Sequence, residues 1–283
     1  MAAVLWKFAN QRLDLTDRAM IMGVINVTPD SFSDGGRFFD PARAIEHGTR
    51  MLEDGAQIID VGGESTRPGS DGVAAEEEIS RVVPVIAKLR EAGAKLISID
   101  TSKATVARAA REAGAEIVND VTGGRGDEAM MPLIAKSNAG FIIMHMQGTP
   151  RTMQDAPHYD DVVAEVRDFF RQQYSRAIES GVDPMAIAFD PGIGFGKTLQ
   201  HNVKLVQNLS ELRIENRPLV IGVSRKSFLA KVVGSGELDD RLAPTVALTA
   251  LLRERGANVL RVHDVRPNVA ALRITEALRD IAA

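Results

Sequence analysis

Short apolar runs recur along the chain, each followed by polar loop residues and then by a longer segment of helical periodicity. There are eight such runs: Ile21–Ile25, Ile58–Val61, Leu96–Ile99, Glu116–Val118, Phe141–Met144, Ala186–Phe189, Leu219–Gly222 and Val259–Val262. Their near-continuous apolar character suits strands buried on both faces, as in a parallel sheet. The intervening helices are punctuated. Asp40-Pro41 predicts a capped helix start running to about Asp54. Glu76, Glu77 and Glu78 put negative charge in the first turn of the next helix, where the helix dipole favours it. Gly55, Gly93, Gly114, Gly181 and Gly256 each fall just past a helix and before a strand, the C-terminal glycine position. The longest predicted helix, roughly Asp160–Ser180, follows the fifth strand. Ahead of the first strand, Leu5–Phe8 and Arg12–Leu15 flank Ala9-Asn10-Gln11 and predict a β-hairpin.

Strict strand–helix alternation implies right-handed βαβ units. Eight of them in 283 residues is the size of a closed barrel. The expected fold is therefore α/β, a (β/α)8 TIM barrel with the N-terminal β-hairpin closing its bottom. A doubly wound open sheet is the runner-up, but it would normally carry a nucleotide fingerprint near the first turn, and none is there. Without repeats, linkers or low-complexity stretches, residues 1–283 read as one domain.

Composition narrows the function classes. With 45% hydrophobic and 25% charged residues the chain is ordinary for a globular protein. A net charge of −4 without a basic stretch excludes non-specific nucleic-acid binding, so an anionic ligand must be held by a few local cations. There is no cysteine, which rules out disulfides and thiolate metal sites and fits a reducing compartment. Met1–Phe8 lacks signal-peptide features, and no stretch reaches bilayer-spanning length. A cytoplasmic location with no membrane partner is expected.

In such barrels chemistry sits at the carboxyl ends of the strands. Here those ends carry Asn26, Asp60, Asp100, Asn119-Asp120, Met144-His145, Asp190, Ser224-Arg225-Lys226-Ser227, and Arg261 with His263. One polar strand end is unremarkable, because Asx residues cap following helices. Polar groups at all eight ends, acids on strands two, three and six and cations on seven and eight, indicate use, since unpaired buried charge is costly. The loops Val27–Gly36 and Gly62–Ser70 are long and polar, and are expected to act as lids. Thr28, Ser31 and Ser70 are assigned turn or cap duty. Arg225 and Lys226, with Ser227 opening a helix, form the strongest cationic cluster and a candidate anion site. Gly192–Thr198 is not a P-loop, because the required earlier glycine is Pro191. It is expected to be a tight turn that lets a ligand approach backbone. His145 is read as structural and His263 as an anion contact. No histidines have metal spacing, so zinc is not expected, whereas Mg²⁺ held by Asn26 and substrate phosphates is compatible with the residues present.

In this order the motifs resemble those of the dihydropteroate synthase family of pterin-binding proteins. They are GVINVTPDSFSDGG at 23–36, IDVGGESTRPG at 59–69, SIDT at 98–101, NDV at 119–121, MHM at 144–146, DPGIGFGK at 190–197, SRKSF at 224–228 and RVHD at 261–264, spanning nearly the whole chain. The resemblance implies an alkyl transfer in folate biosynthesis. A pterin bearing a CH2–pyrophosphate arm is joined to p-aminobenzoate, releasing pyrophosphate by an SN1-like substitution. It further implies pterin contacts from Asp100, Asn119, Met144, Asp190, Phe195, Gly222, Lys226 and Arg261. Pyrophosphate would meet Asn26 with Mg²⁺, Thr66, Arg67, Arg261 and His263, and p-aminobenzoate would meet Thr66, Pro68, Phe195, Lys226 and Ser227. Asp100, Lys226, Arg67 and Asp34 are the implied catalytic groups, with Asp34 and Arg67 partners in a closed state. A homodimer and a sulfonamide target are also implied. Two alternatives are a methyltetrahydrofolate–corrinoid methyltransferase, which would not need the pyrophosphate-facing loops, and a binding protein that has lost turnover. Asp60 is assigned no firm role beyond orienting Arg or Lys side chains.

Overall fold

The computed structural model describes residues 3–28, 41–66, 69–234, 237 and 239–282. A hairpin, β1 (Leu5–Phe8) and β2 (Gln11–Asp14), precedes eight parallel strands: β3 (Met20–Asn26), β4 (Ile58–Gly62), β5 (Leu96–Asp100), β6 (Ile117–Asp120), β7 (Gly140–Met144), β8 (Ile187–Asp190), β9 (Val220–Ile221) and β10 (Val259–Val262). Helices α1 (Pro41–Glu53), α2 (Ala75–Glu91), α3 (Ala104–Glu112), α4 (Met130–Ser137), α5 (Val162–Glu179), α6 (Leu199–Gln207), α7 (Ser227–Val233), α8 (Leu242–Glu254) and α9 (Val265–Ala282) fall between and after them. The sheet order β8-β7-β6-β5-β4-β3-β10-β9 closes through a parallel bridge between Phe189 and Leu219. The expected (β/α)8 barrel is the observed one. The five inter-element glycines all have left-handed φ, from 88° at Gly181 to 118° at Gly114. Asp161 caps α5, accepting from the backbone N–H of Val163 at 3.0 Å.

The hairpin differs by one residue from the expectation. Its second strand starts at Gln11, so the turn is the two residues Ala9-Asn10, with Ala9 at a left-handed φ of 46°. It does close the barrel bottom. Trp6 and Phe8 are buried in a cluster with Met22, Ile58, Ile117, Ile142, Val220 and Val259. The Trp6 indole N–H donates to the Ala186 carbonyl at 2.7 Å.

The wall alternates with the two-residue strand period. Met22, Ile58, Ile142 and Val259 form the apolar floor, while Val24, Asp60 and Ser98 lie side by side one pleat above. Asn119, Met144, Asp190 and Arg261 are likewise two residues further along from floor positions of their own strands. Asn26, Gly62 and Asp100 follow at the mouth. The opposite set of wall side chains, such as Ile25, Ile59, Ile97 and Ile143, packs outward in the large core shared with the helices. Most strands thus feed polar side chains into the mouth, with Met144 from β7 and Gly222 after β9 the apolar exceptions, without breaking the core outside it.

Candidate functional site

Arg261 organises the mouth. Its Nε donates to Asp60 at 2.6 Å and an η nitrogen donates to Asp100 at 2.7 Å. The Asn119 amide donates to the same Asp60 oxygen at 3.2 Å. Asp60, fully buried, is therefore the orienting group for both the guanidinium and the amide. One oxygen each of Asp60 and Asp100 is buried without a hydrogen-bond partner, leaving unused acceptor capacity at this bridge. Burial lifts Asp100 to about 7 against the pull of Arg261, with Asp60, Glu78 and Asp120 adding to the rise. Burial opposes the charge of Arg261, but the Asp60 and Asp100 carboxylates outweigh it and hold the guanidinium above its ordinary pKa.

Across the mouth, Lys226 donates to the Ile193 carbonyl and lies 4.5 Å over the Phe195 ring. Burial brings it down to about 8, opposed by Asp190 and assisted by Arg261. Asp190 is raised by burial, opposed by Lys226, and accepts from the Gly192 N–H at 2.7 Å. Met144 is buried with Val121, Met146 and Met153, and Phe195 packs on that group. A Cβ added to Gly222 would come no nearer than 3.8 Å to Arg261, so its lack of a side chain is not demanded by packing and leaves space beside the guanidinium.

The phosphate-side candidates are more spread. His263 Nδ1 is 3.1 Å from the Ser224 hydroxyl. Asn26 and Thr66 are half-buried, and Ser227 is exposed at the start of α7. Asp34, Arg67 and Pro68, and most of the first lid loop, lie outside the described residues. The Arg225–Lys226 pair does not act as one cluster. Arg225, at a left-handed φ of 57°, turns its guanidinium to Asp264, donating from Nε at 2.8 Å, while Lys226 alone enters the mouth. Asp120 also turns aside, accepting from the backbone N–H groups of Thr122 and Gly124.

Among the described residues no group of three or more His, Asp or Glu could hold a metal. Asn26 makes no side-chain hydrogen bond to another described residue, and its Oδ1 is 3.9 Å from where a Cβ on Gly62 would stand. A single hard oxygen at an open edge fits Mg²⁺ bound mainly by phosphate oxygens and water, and not a protein cage.

The expected tight glycine turn after β8 is present. Gly192, Gly194 and Gly196 all have left-handed φ, but a Cβ at Gly192 would lie 1.9 Å from the His145 carbonyl oxygen and one at Gly196 2.6 Å from that of Gln147. At Gly192 and Gly196 the close backbone approach is to the neighbouring loop after β7. Four successive carbonyls of this turn are held by side chains: Ile193 by Lys226, Gly194 by Gln154 at 2.7 Å, Phe195 by Lys197 at 3.0 Å and Gly196 by Tyr159 at 2.9 Å. Sequence reasoning missed Lys197, Gln154 and Tyr159. The only signal was a lysine ending a glycine turn after a strand. His145 is structural, as expected: buried, 3.0 Å from the Lys197 amine, and pushed down to about 2 by burial and that lysine.

Residues 22–263 match the family of pterin-binding enzymes. The dihydropteroate synthase of Mycobacterium leprae is 46% identical over 263 residues, which cover 91% of this chain and 92% of the relative. A crystal structure of the Xanthomonas albilineans dihydropteroate synthase with 4-aminobenzoic acid is 42% identical, with a TM-score of 0.91 over 98% of this chain and 99% of that one. The same enzyme in complex with 7,8-dihydropteroate superposes with a TM-score of 0.87 at 40% identity, over 97% of this chain and 98% of that one. By motif order, barrel geometry and these similarities, the chain belongs to the pterin-binding enzyme family, among the dihydropteroate synthases.

Proposed function

We propose that this chain condenses 6-hydroxymethyl-7,8-dihydropterin pyrophosphate with p-aminobenzoate to form 7,8-dihydropteroate and pyrophosphate. The observation that carries the reading is the Asp60–Arg261–Asp100 bridge, which holds a cation and two acceptors in one small mouth. Unpaired oxygens there suit the ring N–H and amino donors of a pterin, and the guanidinium offers a face to its ring. Asp100, Asn119 and Asp190 read the donor edge, and Lys226 leaves the Ile193 carbonyl for the ring carbonyl. Met144, Phe195 and Gly222 shape the walls around it.

The C–O bond to pyrophosphate breaks as negative charge builds on the leaving group, stabilised by Arg261, His263, Thr66 and Arg67. Asp100 offsets the positive charge left on the pterin methylene. The aromatic amine then forms the new C–N bond and sheds a proton. The p-aminobenzoate ring packs on Pro68, Phe195 and the Lys226 stem, with its carboxylate at Ser227. Asn26 would hold Mg²⁺, which when bound would supply charge neutralisation for the leaving pyrophosphate. The alternative of folate-methyl transfer to a corrinoid protein lacks any comparable observation in its favour.

We also read the chain as one domain, since its eight strands form a single closed sheet. No helix among the described residues is long and apolar enough to cross a membrane, and we assign the enzyme to the cytoplasm. A homodimer is proposed on the family resemblance, supported by exposed Ile274 and Leu278 on α9. The deciding experiment supplies both substrates, with and without Mg²⁺, and follows dihydropteroate by mass spectrometry. Product that requires Mg²⁺ is expected, and its absence from an active-pH preparation refutes the assignment.

A further inference from the structure

An ion network lies beneath the loop after β4, and among its members only Glu78 has entered the account above, through its charge near Asp100. Glu78, in the first turn of α2, is fully buried, and one of its carboxylate oxygens has no partner. Its other oxygen accepts from the Lys103 ammonium at 2.6 Å. Lys103 also donates to Glu64, which lies in the loop itself. That Glu64 oxygen accepts from the Val73 backbone N–H at 2.9 Å as well, so one carboxylate ties the loop's two ends together.

The same segment is held from other sides. Arg81 donates to the Gly63 carbonyl at 2.7 Å, and Gly63 sits so close to α2 that a Cβ there would lie 2.7 Å from Val82. The Ser70 hydroxyl donates to the Ser65 carbonyl at 2.6 Å, and the Gly69 N–H donates to Pro150 at 3.1 Å. Lys103 follows Asp100 by three residues and stands at the N-cap position of α3, so the network links the loop to the strand end that carries Asp100. With Lys103 and Glu64 partly exposed, the ion pair between them adds little to stability. A buried carboxylate such as Glu78 is costly unless paired. What the arrangement does deliver is a defined position for residues 63–66 and 69–73.

We propose that Glu64, Lys103 and Glu78 are positioning residues that hold Thr66 and its neighbours in place against the Asp100 strand end, so that this part of the loop is set before p-aminobenzoate arrives. This rests on the assignment of Thr66 to the p-aminobenzoate pocket.

Glu64→Ala is the first variant, because its side chain is partly exposed and Glu78 still neutralises Lys103. Amide hydrogen exchange at 64–66 and 69–73 is expected to speed up, and KM for p-aminobenzoate to rise about tenfold from misplacement of the loop. Affinity for the 6-hydroxymethyl-dihydropterin, which lacks the pyrophosphate, is expected to stay within about twofold. Lys103→Arg, which keeps the charge, is expected to retain a near-normal KM, whereas Lys103→Met behaves like Glu64→Ala. Unchanged loop exchange in Glu64→Ala overturns the anchoring. Faster exchange with an unchanged KM overturns the positioning role. If the unmodified enzyme makes no dihydropteroate, the functional reading fails, while the exchange measurement still tests the anchoring by itself.

Discussion

In the proposed reaction Asp100 accepts hydrogen bonds from the pterin as a carboxylate, yet its site holds its pKa at about 7. At about 1.4 kcal/mol per tenfold change in acidity, the rise from 3.8 to about 7 corresponds to about 4 kcal/mol against the charged form. Burial is the main cause, since Arg261 pulls the other way. Lys226, brought down to about 8, loses its cation on the other side of neutrality. In the free enzyme kcat/KM for the pterin pyrophosphate is therefore expected to be bell-shaped, rising through about 7 as Asp100 ionises and falling above about 8 as Lys226 deprotonates. The assay is initial rate at low pterin pyrophosphate and saturating p-aminobenzoate, from acid to alkaline pH at constant ionic strength. Asp100→Asn is expected to lose about 10²–10³ in kcat/KM and the acid limb with it. An acid limb near the ordinary carboxylate value, or one that survives in Asp100→Asn, refutes the reasoning. The same shift has a stability consequence. Between 3.8 and about 7 the folded chain holds a proton the unfolded chain has released, so stability falls as pH rises across that window.

Arg261→Met removes the cation between two buried carboxylates and is expected to cost about 3–5 kcal/mol in urea unfolding at neutral pH. A loss under about 1 kcal/mol would show that the bridge carries no structural weight. Gly192→Ala places a Cβ against the His145 carbonyl at a left-handed φ of 64°, and is expected to destabilise by at least about 2 kcal/mol, read as a lower Tm. Trp6→Ala empties part of the barrel floor and breaks the bond to Ala186, for an expected loss of about 3–5 kcal/mol, with kcat of the folded fraction unchanged because the hairpin lies at the far end from the mouth.

The eight strands were legible in the sequence because residues buried on both faces read as apolar runs, and the strand ends because polar residues interrupt those runs. Boundaries slipped where polar residues still pair in the ladder, as Asp120 does opposite Ile143 and Asp190 opposite Met144. The hairpin turn slipped because Ala9 takes a left-handed conformation without the glycine that usually announces it.

The order of the motifs by itself determined the fold class, the family and most of the candidate mouth, since spacing along a chain of alternating strands and helices fixes which residues reach the same rim. Only the tertiary structure decided which of two adjacent residues turns inward. Lys226 enters the mouth while Arg225 goes to Asp264, and Asn119 joins Asp60 while Asp120 caps its own loop. Asp60 found its role the same way, as the partner of an arginine 201 residues away. Such contacts depend on pleat direction and barrel closure, which bring distant strands to within a hydrogen bond and leave no local trace in the chain.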